Sequence, residues 1–111
     1  MPDKQKEIDK SLDGLDNQIV DIVGKFIKRR KEHYEKAAKK LHAELKKDTK
    51  RYAGLLADGK ILENDFETLV KGRWAQLKIE LLSETAISKK KFEDIAGEVL
   101  KVTVNAAMNA V

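Results

Sequence analysis

The sequence predicts an all-α fold, and three observations carry that expectation. Charged residues make up 38% of the chain and hydrophobic residues 41%, a balance typical of amphipathic helices. The single Pro stands at position 2, and strong helix formers run through the rest. Apolar residues recur at spacings of three and four over long stretches, the period of a helix with one buried face. A chain of 111 residues fits one domain, residues 1–111, with a modest core.

The first element begins early. Ile8, Leu12, Leu15, Ile19, Ile22 and Phe26 alternate spacings of four and three, the seam of a helix that packs along another helix. Val20, Val23 and Ile27 widen that stripe, which implies more than one packing neighbour. The seam resumes at Tyr34, Ala38, Leu41, Leu45, Tyr52 and Leu55, and nothing between Phe26 and Tyr34 has the composition of a turn. Gly14 and Gly24 weaken a helix by about 1 kcal/mol each without ending it. These features predict one helix over about residues 5–57, roughly 80 Å long.

Leu56-Ala57-Asp58-Gly59-Lys60 then supplies a stop, with Gly59 where a helix C-terminus favours a left-handed residue. The segment Asp58-Gly59-Lys60-Ile61 followed by Asp65-Phe66 also shares features with the second half of a calcium loop. Aligned that way, Gly54 and Leu56 occupy positions that need oxygen donors, so a helix corner is the better reading. The second helix is expected over about residues 63–82, with Phe66, Leu69, Val70, Trp74, Leu77 and Leu81 on one face, ending near Ser83-Glu84-Thr85. Gly72 within it suggests a close helix approach. The third is expected over about residues 89–110, N-capped by Ser88, with Ile87 placed to staple onto Phe92. Its face is Phe92, Ile95, Ala96, Val99, Leu100, Thr103, Ala107 and Ala110.

No residue pattern names a reaction. The absence of Cys removes thiolate chemistry and disulfides and fits a reducing, cytoplasmic location. The N-terminus lacks the apolar core of a signal peptide, and no run approaches the roughly 20 apolar residues of a membrane span. His33 and His42 are nine apart and on one helix point to nearly opposite sides, so both are expected at the surface or flank and neither as a metal ligand. Ser11, Ser83 and Ser88 have no base beside them and are explained by capping. No catalytic, cofactor or metal residue is therefore assigned.

Charge is distributed unevenly. The net charge is +4, but residues 1–24 hold −3, residues 25–51 hold +8 and residues 52–111 hold −1. On a continuous helix Lys25, Lys28, Arg29, Lys36, Lys39, Lys40, Lys46, Lys47 and Lys50 form one broad basic face, the candidate polyanion-binding surface. Arg30 and Arg73 fall inside apolar seams and need acceptors, at the bundle edge or on a neighbouring chain. The first helix would outrun the two shorter ones, which span only about 30 Å each. That mismatch predicts a homodimeric bundle, with Ile8, Leu12, Leu15, Ile19, Val23, Phe26, Val104 and Met108 as its candidate interface. The expected function is non-enzymatic protein–protein assembly, as adaptor or scaffold. Non-specific binding of nucleic acid through the basic face is the alternative.

Overall fold

The computed structural model describes residues 2–84 and 87–111, with the side chains of residues 4–84 and 87–111, and all of its regular structure is helical. Five segments follow one another: α1 (Pro2–Asp13), α2 (Asp16–Phe26), α3 (Lys31–Ala57), α4 (Glu63–Glu84) and α5 (Lys89–Ala110). Both α1 and α2 lie along the same two helices, α3 and α5, so they act as a single rod interrupted at Gly14–Leu15. The molecule is thus a bundle of four rods, each antiparallel to the one before it in the chain. Helices α3 and α5 meet across its centre, and the α1–α2 rod and α4 flank that pair on opposite sides.

The expected single helix over residues 5–57 is therefore corrected: the chain reverses between Phe26 and Lys31. Ile27 is extended (φ −121°, ψ 124°) and Arg30 is left-handed (φ 59°, ψ 36°). The physical reason is burial. A straight helix would leave its apolar stripe bare, whereas reversal brings Ile19, Ile22, Val23 and Ile27 against Tyr34, Ala38, Leu41 and Leu45 in one core. A non-glycine residue in the left-handed region costs about 1–2 kcal/mol. Burying each large aliphatic side chain returns about 1.5–3 kcal/mol, so several of them outweigh one strained Arg.

The reversal also removes the length mismatch. The α1–α2 rod and α3 are each about 40 Å long and α4 and α5 about 33 Å, matching a body of 44 × 23 × 17 Å. Of the residues expected at a dimer interface, Ile8, Leu12, Leu15, Ile19 and Val23 are buried in the core of the single chain. Val104 and Met108 are half-buried against that core, and only Phe26 is largely exposed, at 41%. One chain fills the seam that a second copy was expected to cover.

The shorter helices begin where the sequence places them. After α3, the Lys60 amide donates to the Leu55 carbonyl at 2.9 Å and the Gly59 amide to the Leu56 carbonyl at 3.1 Å, with Gly59 at φ 73°. These are the two bonds of a Schellman C-cap. Asp65 in the first turn of α4 reaches back to accept from the Leu62 amide at 3.0 Å. Ser88 caps α5, its hydroxyl accepting from the Lys91 amide at 3.4 Å, and Ile87 packs against the core that contains Phe92. Helix α4 extends to Glu84, two residues beyond the expected 82, and Thr85 of the expected end lies outside the described residues.

Candidate functional site

The reversal of the chain redistributes the basic residues. Lys25, Lys28 and Arg29 belong to the end of α2 and the turn, whereas Lys36, Lys39, Lys40, Lys46, Lys47 and Lys50 follow along α3. The nine residues expected to share one helix face thus divide between two elements. From Lys40 onward the cations of α3 meet carboxylates of the same chain. Lys46 and Lys50 both reach Asp13 of α1, at 3.0 and 2.9 Å, and hold its carboxyl below the usual carboxylate range. Lys47 pairs with Glu44 at 3.3 Å and Lys40 with Glu84 at 3.1 Å.

The near half is different. Lys25, Lys28, Arg29, Arg30, Lys31, Lys36 and Lys39 make no ion pair with any described residue. Ser88 donates its amide to the Tyr34 hydroxyl at 3.1 Å, which places the start of α5, with exposed Lys89, Lys90 and Lys91, at the same end of the bundle. Residues 25–40 alone carry eight Lys and Arg against two Glu, a net +6 in a chain of net +4. One pole of the molecule is strongly basic, and exposed Phe26 sits within it. The stripe expected along the length of a helix is in fact a cluster at a turn.

A cavity of about 400 Å³ opens beside this pole, between the first turns of α3 and the end of α4. Arg30, His33, Lys36 and Lys40 contribute its polar rim, Tyr34, Ala37, Leu81 and Ile87 its less polar lining, and Glu84 a single carboxylate. No local pattern in the sequence points to this cavity, because its walls come from residues about 50 positions apart.

Other residues singled out in the sequence lie away from this cavity or do different work. His42 is not at the surface but 2% exposed, and its Nε2 donates to the Leu12 carbonyl at 3.2 Å. Leu12 stands in the last turn of α1, where carbonyls lack an intrahelical partner, so His42 serves the break between α1 and α2. Its Nδ1 faces the Thr103 hydroxyl of α5 at 3.5 Å, and burial pushes its pKa below the ordinary 6.5. Arg73 finds its acceptor within the chain, Nε donating to Asp48 of α3 at 2.7 Å, while Arg30 sits on the turn. Trp74 is half-buried, donates Nε1–H to the Ala96 carbonyl at 2.8 Å and carries Lys78 over its ring at 4.4 Å. Gly72 faces open space rather than a close helix approach.

Among the described residues no three His, Asp or Glu side chains converge in a way that could hold a metal ion. Among the described residues no helix is long and apolar enough to cross a membrane. No family model, curated protein or solved structure matches the chain.

Proposed function

We propose that the protein is a non-enzymatic helical binding module that docks its basic pole on the phosphate backbone of nucleic acid. The observation that carries this reading is the concentration of unpaired cations around the α2–α3 turn, while Lys40 and Lys47 each pair with a glutamate and Lys46 and Lys50 share Asp13. Cations without internal partners keep their full capacity to displace counterions from a polyanion. A cluster at one end of a rod reaches a few neighbouring phosphates and reads no bases, so the expected affinity has little sequence preference. The cytoplasmic location expected from the cysteine-free composition belongs to the same proposal.

Fluorescence anisotropy of a labelled short oligonucleotide at about 50 and 200 mM salt tests it. Four phosphate contacts would weaken binding about a hundredfold across that range. Replacing Lys28, Arg29 and Lys31 by Gln should abolish binding, while replacing Lys46, Lys47 and Lys50 should leave it nearly intact. Absence of binding at the lower salt would sink the reading.

A second reading, assembly through self-association, is favoured by a specific feature of α4. Its outward side exposes Ile79 (65%) and Leu69 (39%) around the open Gly72. A homodimer through α4 would replace the interface expected on the first helix, and would make the module an assembly adaptor. Light scattering at tens of micromolar checks this reading: a dimer mass reduced to a monomer mass by Ile79→Glu supports it, and a monomer mass for the unaltered protein removes it.

A further inference from the structure

The cavity beside the basic pole has a division of chemistry that simple phosphate docking does not use. Its volume of about 400 Å³ lies in the range of small-molecule sites, roughly 300–1,000 Å³. Tyr34 is 7% exposed and its hydroxyl is engaged by the Ser88 amide, so the ring is held against the α5 start and presents a fixed wall. Ala37, Leu81 and Ile87 continue that wall with aliphatic surface. Above it stand Arg30, Lys36 and Lys40 with the His33 imidazole, and the one carboxylate, Glu84, is held by Lys40 at 3.1 Å. Cations therefore exceed acids around the mouth, over an uncharged interior.

The backbone at the mouth is also unusual. Arg30 occupies the left-handed region at φ 59° without being glycine, and its side chain makes no capping bond to α3. Strained positions of this kind persist where the surroundings over-determine them, and they cluster at ligand sites. Here the left-handed turn sets an arginine on the rim of a cavity, where its fork can take a planar or tetrahedral anion by two hydrogen bonds.

We propose that this cavity binds a small amphipathic organic anion: one carboxylate, phosphate or sulfonate group held by Arg30 and Lys36, on a compact aromatic or aliphatic body lodged against Tyr34, Ala37, Leu81 and Ile87. An inorganic anion would leave the apolar wall unused, and a neutral hydrophobe would leave the rim unanswered. The proposal stands independently of nucleic-acid docking, since a polymer backbone carries no apolar group that must enter the cavity.

The probe is 8-anilinonaphthalene-1-sulfonate, an aromatic sulfonate whose emission rises in apolar surroundings, titrated into the full chain and competed with octyl phosphate, inorganic phosphate and octanol. Saturable binding of one equivalent is expected, displaced by octyl phosphate and not by inorganic phosphate or octanol at the same concentration. Arg30→Gly is the decisive variant, because glycine adopts φ 59° without strain and the fold should be retained or stabilised. It should weaken the probe roughly three- to tenfold, as should Lys36→Gln, while Glu84→Gln should tighten it. Non-saturable binding, an affinity unchanged in Arg30→Gly with thermal stability preserved, or displacement by inorganic phosphate as effective as by octyl phosphate would each overturn the proposal.

Discussion

The chain is interrupted twice within its first 57 residues, and the two breaks are opposites. At Gly14–Leu15 a glycine is present, yet α1 and α2 continue in one direction along the same neighbours. Leu15 there has φ −90° and ψ −4°, a conformation open to any residue, and Gly14 is not in the left-handed region. At Ile27–Arg30 there is no glycine or proline, yet the chain turns back on itself through a left-handed arginine. Intrinsic propensity would rank these two sites the other way round. What decides is what each break allows to be buried: the second folds two apolar stripes onto each other, and the first only adjusts how one stripe follows α3 and α5.

How each break is held can be tested. The largest effect is expected at the first, where His42 fills space between α1, α3 and α5 and takes the Leu12 carbonyl. His42→Ala leaves a cavity and an unmet buried carbonyl and should cost about 2–4 kcal/mol in urea unfolding. The same residue makes stability depend on pH. Desolvation, the leading cause, lowers its folded pKa, with Lys46 adding to the effect and the Leu12 carbonyl, Asp16 and Asp13 opposing it. The unfolded chain gains its proton near pH 6.5 and the folded chain only at lower pH. In that window the unfolded state binds more protons, so stability falls as pH drops below 6.5. His42→Gln should flatten this dependence; an unchanged slope would place its origin elsewhere.

Effects at the second break should be smaller and of opposite sign. Arg30→Gly removes left-handed strain and should raise the midpoint of thermal unfolding, by the equivalent of about 1 kcal/mol. A decrease would mean that the Arg30 side chain contributes more to the turn than its backbone costs. Gly14→Ala is expected to have the least effect. The added Cβ would stand 3.4 Å from the Lys10 carbonyl, an ordinary contact, and the gain in helix propensity is below about 1 kcal/mol. If it proved strongly destabilising, the first break would need glycine after all, and the contrast between the two breaks would fail.

Features written in local chemistry were legible in advance. The Gly59 stop, the Ser88 cap and the apolar faces of α4 and α5 each depend on residues within one or two turns of each other, and the structure places them accordingly. His42 was not legible, because its exposure depends on Thr103 and Leu12, far from it in the chain. A weak signal for the turn was present: Lys25 and Arg29, and Lys28 and Lys31, are like charges at helical spacing, which disfavour a continuous helix by a few tenths of a kcal/mol per pair. That is too little to outweigh an unbroken apolar period. The candidate site is hidden for the same reason, since the cavity lies between elements that only the reversal brings together.

The sequence by itself determined that this protein is helical, which residues are apolar enough to form its core, and where the two later helices start. Those properties follow from periodicity and capping, which act over a few residues. Only the tertiary structure decided that residues 27–30 turn, that one chain closes its own bundle, and that the unpaired cations gather beside a cavity at one pole. A reversal costs local strain of about 1–2 kcal/mol and is repaid by contacts between distant residues, so no short-range pattern could carry it.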